Sequence, residues 1–173
     1  MRIAALVGLG MALAGSNAFG QDVAYDYAKG TDFSKLKTYS WVQGKGLNDE
    51  LNHKRIVAAV DAQLAAKGMI QAAAGSTPDV TVSYRVEFDK SIEVTGFASG
   101  PGWRFGGMRT GTARAEEVLS GSLAVDMVDP RAGSIVWRSV ASKIVDVKAD
   151  PEKRDKNIAK AAEKLFKNYP PER

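Results

Sequence analysis

The chain has 173 residues, 45% apolar and 25% charged, a mix that fits one globular domain and excludes a disordered or fibrous chain. It holds no cysteine and a single histidine, His53, which excludes disulfide scaffolds, thiolate zinc sites, iron–sulfur clusters and cysteine nucleophiles. The formal net charge is +4.

Residues 1–20 read as an address. Arg2 is the only charge before Asp22, and residues 3–14 form an unbroken apolar run. The run is shorter than the about 20 residues that span a bilayer. Gly8, Gly10 and Gly15 argue against a buried helix, since each costs about 1 kcal/mol there. A charged start, a short apolar core and small residues at Ala18-Phe19-Gly20 predict a secretory signal peptide cleaved after Gly20. Gln21 then begins a single domain over residues 21–173, and loss of Arg2 leaves a charge of +3. A lipid anchor needs a cysteine just after the cleavage site, so the expectation is a periplasmic protein with no transmembrane segment and no lipid.

Residues 37–42 are rich in β-branched and aromatic side chains and read as a strand, closed by Gly44 and Gly46. A helix follows over residues 48–67. Asn48 is its expected cap, Asp49 and Glu50 suit the dipole of its first turn, and Ile56, Val57, Val60 and Leu64 form one stripe. Gly68 stands where a left-handed terminus is expected. Residues 72–77 read as a small-residue linker. Pro78-Asp79 then opens a strand in which Val80, Val82, Tyr84, Val86 and Phe88 alternate with Thr81, Ser83, Arg85 and Glu87. Period two with one wet face predicts a one-sided antiparallel sheet. Ile92 and Val94 continue the alternation after an expected break at Asp89-Lys90. Residues 96–111 hold six glycines and predict a long loop between strands.

Residues 123–128 and 135–140 read as a hairpin around Asp129-Pro130-Arg131-Ala132-Gly133. Ile135, Trp137 and Ser139 fall on one face of the return strand and Val136, Arg138 and Val140 on the other, which predicts a strand covered on both sides. The last helix has Asp150 as cap and Pro151 at its first position. Its apolar face is Ile158, Ala161, Ala162, Leu165 and Phe166, and Pro170-Pro171 stops it. The predicted fold class is α+β, a mostly antiparallel sheet with two helices packed against it.

The chemistry candidates are sparse. His53 has no second histidine or cysteine to join it at a metal. As a catalytic base it would stand beside Lys54 and Arg55 with no Gly-x-Ser-x-Gly elbow in the chain, so it reads as a surface histidine. Asp126 and Asp129 could offer carboxylates to a cation, but beside a turn such aspartates bond local amides. Glu116 and Glu117 are neighbours on a strand and point apart. The glycine-rich segment lacks a phosphate-loop ending, so no cofactor is implied. Lys153, Arg154, Lys156, Lys160, Lys164 and Lys167 crowd the last helix. Glu152, Asp155 and Glu163 interleave with them, with Glu→Lys pairs four apart at 152/156 and 163/167. That pattern is a solvated face and predicts no nucleic-acid partner; anionic lipid headgroups are the better match for the charge.

The glycine-rich segment carries Phe97, Trp103 and Phe105 with Arg104 and Arg109. Aromatics and arginine anchor binding surfaces, so these five are the candidate partner-binding residues, toward an envelope protein, a glycan or a membrane surface. The alternative is a flap folded back over the sheet. Deleting residues 97–110 separates the two: binding is lost at unchanged melting temperature in the first, and stability is lost in the second.

Asp32-Phe33-Ser34 ahead of Thr38-Tyr39-Ser40-Trp41 resembles the opening of the bacterial domain of unknown function 4136 family. The resemblance continues through Ile56 to Leu64 with Lys67-Gly68, Pro78-Asp79-Val80, Gly121-x-Leu123 with Asp126 and Asp129, Ile135-Val136-Trp137-Arg138, and Tyr169-Pro170. It implies an exported envelope protein of α+β fold with no assigned activity and no catalytic residues to carry over. Many members look like lipoproteins, from which this chain departs by lacking the cysteine; it also has Ser139 where glycine is frequent. The expectation is a non-catalytic envelope binding or assembly module. The alternative is a small envelope-directed hydrolase working through carboxylates such as Asp126 and Glu117.

Overall fold

The computed structural model describes residues 22–42, 49–98, 111–146 and 148–172. The expected signal segment with its cleavage site lies outside the described residues, as do Gly44, Gly46, Asn48, Trp103, Arg104, Phe105 and Arg109.

In chain order the elements are β1 (Asp22–Tyr27), a 3-10 turn (Phe33–Lys35), β2 (Thr38–Trp41), α1 (Glu50–Ala66), β3 (Ile70–Gln71), β4 (Val80–Ala98), β5 (Gly111–Asp129), β6 (Ser134–Ile144) and α2 (Pro151–Leu165). They form a six-stranded sheet of order β1-β6-β5-β4-β2-β3. The pairings β1/β6, β6/β5 and β5/β4 are antiparallel, whereas β4/β2 and β2/β3 are parallel. The α+β expectation stands, but the sheet is mixed. The parallel seam follows from α1, which crosses over between β2 and the strands after it and returns the chain to the same end of the sheet.

Local chemistry sets the boundaries. The cap of α1 is Asp49 and not the expected Asn48, the Asp49 carboxylate accepting from the Asn52 N–H at 3.1 Å. Gly68 takes φ +79° just past the helix, as expected for a left-handed terminus. Asp150 accepts from the Lys153 N–H at 2.7 Å ahead of Pro151. Asp129 accepts from the N–H groups of Arg131 and Ala132, and Gly133 at φ +64° closes the turn.

The register puts Val80, Val82 and Tyr84 of β4, Leu123, Val125 and Met127 of β5, and Trp137 and Ala141 of β6 on one face of the sheet. Ile56, Val60 and Leu64 of α1 and Ala161, Ala162 and Leu165 of α2 bury against them in one core. Trp137 sits at its end, stacked on Tyr25 at 5.2 Å and met edge-on by Tyr169 at 5.3 Å. Thr81, Ser83, Asp126 and Arg138 alternate onto the other face, where they are half-buried.

Four expectations are corrected. β1 was not read as a strand; it forms an edge through its pairing with β6. There is no break at Asp89-Lys90, which pair with Ser120 and Leu119. The loop expected over residues 96–111 is shorter, because Gly96, Phe97 and Ala98 are laddered to Ala113, Thr112 and Gly111. Cross-strand hydrogen bonding carries the strands further than the glycine content suggested. Finally, β6 lies between β1 and β5 with the core helices over one face. The register shift at Met127/Val128 takes Ile135 out of step with Trp137 and leaves it 41% exposed.

Candidate functional site

Three successive same-face rows of the sheet make the floor of a groove. Val86, Leu123 and Ala141 form the first row, and Phe88, Gly121 and Lys143 the second. Lys90, Leu119 and Val145 form the third, Leu119 pairing with Lys90 and its carbonyl accepting from the Val145 N–H at 2.7 Å. Ile56 of α1 and Ile158 and Ala161 of α2 supply the walls. The resulting groove encloses about 380 Å³ and is mostly apolar. Gly121 is required by its middle row. A Cβ there would lie 2.7 Å from Val145 Cγ2 and 3.4 Å from the Phe88 ring.

Charge gathers at the mouth. Arg55 of α1 pairs with Asp155 of α2 and ties the helices together. Lys153 pairs with Asp146 at 2.7 Å, and that bond holds the Asp146 carboxyl below its usual range. Lys143 Nζ donates to the neutral Asn157 Oδ1 at 3.0 Å, and Arg154 Nε donates to the Ala149 carbonyl at 2.9 Å.

The floor continues onto an arm. β6 ends at Ile144, opposite Ser120, while β4 and β5 run on as a two-stranded ribbon from the Lys90–Leu119 pair to the Ala98–Gly111 pair. At about 3.4 Å per residue the ribbon extends roughly 30 Å. Phe88 at its root is 53% exposed and Ile92 further out is 72% exposed. A two-stranded ribbon is marginal without a covering surface, and large exposed apolar groups beside a groove mark a place of contact.

His53, Asp126 and Asp129, singled out for chemistry, each have a partner within the fold. His53 is exposed, as expected, but its Nδ1 lies 2.7 Å from the Tyr84 hydroxyl, whose pKa burial pushes up. Beside it Asp61 accepts from the Tyr39 hydroxyl and Trp41 Nε1, both at 2.8 Å; burial and that carboxylate push the Tyr39 phenol up. Asp126 takes the Arg138 guanidinium in a fork of 2.5 and 2.8 Å, with Arg85 Nη2 at 3.8 Å. Hydrogen bonding to Asp126 raises the Arg138 pKa. Asp129 is engaged by its own turn. Asp126 and Glu117 lie nine residues apart on β5, about 30 Å along the strand, so the carboxylate pair suggested for a hydrolase is not assembled. Glu116 and Glu117 stand on β5 opposite Glu93 and Ile92. Among the described residues no group of three or more His, Asp or Glu is placed to share a metal ion, and no helix is long and apolar enough to cross a membrane.

Of the five candidate loop residues, Phe97 lies in β4 opposite Thr112. The groove and the exposed Phe88 and Ile92 were not singled out from the sequence. The available signal was an alternation running from Val80 to Val94, longer than two helices can cover.

The sequence matches the family described as "Domain of unknown function (DUF4136)" over residues 23–171. No curated protein matches it. Among solved structures it is similar to a PDZ domain protein from Parabacteroides distasonis ATCC 8503 at 17% identity and TM-score 0.55. That match covers 87% of this chain and spans 36% of the other. It is also similar to the PelC dodecamer from Paraburkholderia phytofirmans at 11% identity and TM-score 0.51, over 85% of this chain and 95% of that one. These likenesses are of fold.

Proposed function

The chain belongs to the DUF4136 family, and we propose that this member is an exported cell-envelope module that binds or assembles and performs no covalent chemistry. The reading rests on one observation above all: an apolar groove adjoins a two-stranded ribbon, and Phe88 and, beyond Lys90, Ile92 are exposed on the same face. Asp61, Asp126, Asp129 and His53 are meanwhile engaged by arginine, tyrosine, tryptophan or turn amides. The charged, apolar and small-residue pattern of residues 1–20 supports export. A protein of similar fold, PelC, assembles as a dodecamer, which is in keeping with an assembly role.

The test uses the full chain and the double variant Phe88→Ser/Ile92→Ser. Both side chains are largely exposed, so the variant keeps its unfolding free energy within about 0.5 kcal/mol. On native separation of gently solubilised envelopes, the wild type migrates in an assembly and the variant as a lone chain. Identical migration of the two would refute the reading.

A further inference from the structure

We propose that the groove holds a single long-chain carboxylate, its hydrocarbon on the floor and its head at Lys143. The proposal rests on the binding-module reading and names the ligand of the same site.

Shape argues for one chain. The three floor rows are each about 7 Å apart along the strands, which makes a trough roughly 14 Å long. A volume of about 380 Å³ is near the low end of the roughly 300–1,000 Å³ usual for small-molecule sites. A volume of that size is matched better by one tail than by the two of a phospholipid. The lining is suited to hydrocarbon, with Val86, Leu119 and Leu123 below and Ile56 and Ile158 beside.

Charge argues for an acid. At the mouth, the carboxylates are already matched: Asp146 by Lys153 and Asp155 by Arg55. Lys143 instead meets the neutral amide of Asn157, so its charge is not offset by that partner. An ammonium on the β6 side of the middle floor row is complementary to a carboxylate head whose tail lies across the apolar floor.

The experiment uses the full chain stripped of lipid, with cis-parinarate as the fluorescent probe. Palmitate, hexadecanol and two-tailed phosphatidylglycerol vesicles serve as competitors, and Lys143→Met as the variant. The probe binds and palmitate displaces it; hexadecanol is about tenfold weaker or more, as loss of one charge-assisted contact requires. In Lys143→Met palmitate falls to the level of hexadecanol, whose own displacement is unchanged, and the vesicles do not compete. Lys143 is exposed, so this variant folds. Equal strength of acid and alcohol, or an unaffected Lys143→Met, overturns the assigned head site. Competition by the vesicles overturns the single tail. If no chain binds while the assembly sensitive to Phe88→Ser/Ile92→Ser persists, the ligand is wrong and the binding-module reading stands.

Discussion

Replacing Asp79 by alanine loosens the parallel seam between β2 and β4. One oxygen of Asp79 accepts from the Lys37 N–H at 3.0 Å, the Thr38 N–H at 2.8 Å and the Thr38 hydroxyl at 2.8 Å. Its own N–H lies 3.1 Å from the Thr38 carbonyl and 3.0 Å from Thr38 Oγ1. β2 and β4 meet in the register pairs of Tyr39, Ser40 and Trp41 with Val80, Thr81 and Val82, so this side chain is a large share of what fixes the seam. Three bonds to an ionised acceptor, partly replaceable by water at the exposed Lys37, contribute about 2–4 kcal/mol. For a chain of this size that is a fall in Tm of roughly 5–15 °C. Asparagine retains an acceptor without the charge and costs about half as much. The effect depends on pH. The Lys37 and Thr38 donors hold the Asp79 carboxyl below its ordinary value in the folded state. The stabilisation is therefore fully present above the unfolded value near 3.9 and is lost as pH falls through the lower folded value. Urea unfolding at pH 7, 5 and 3 reads both features. Asp79→Ala within about 0.5 kcal/mol of wild type at pH 7, or a gap that fails to narrow at pH 3, would refute the reasoning.

Leu64 is fully buried, and Leu64→Ala should cost about 2–5 kcal/mol in urea unfolding with an unchanged m-value. Gly121→Ala places a Cβ 2.7 Å from the branched Val145 side chain; a loss of about 1–3 kcal/mol is expected in thermal unfolding, and unchanged stability would count against the packing described. Asp126→Ala removes the forked partner of Arg138 and should destabilise by about 1–3 kcal/mol, checked by the same unfolding assay.

What the sequence made legible is what its own near neighbours determine. The alternation from Val80 to Phe88, the Asp150–Pro151 helix start, Gly68 at positive φ and the Asp129 turn each depend on a few adjacent residues, and each is found as expected. Distant pairing was not legible. β1 carries Asp22 and Asp26 and has no strong alternation; it is a strand because β6, more than a hundred positions on, supplies its ladder. Pro78-Asp79 was read as the opening of a strand, but the reach of Asp79 to Lys37 crosses 42 positions. The glycines of residues 96–111 suggested chain entropy, and the ladder overrides it at Gly96 and Gly111. The groove was hidden for the same reason, since its floor and walls come from five elements that no short motif connects.

The central claim, that the ribbon and groove form the contacting surface, is tested most directly by site-specific photo-crosslinking in intact cells. A photoreactive residue at Ile92 is compared with one at Glu163, exposed on α2. The account predicts a discrete adduct from position 92 and none from position 163. No adduct at 92, or the same adduct at both positions, would contradict it.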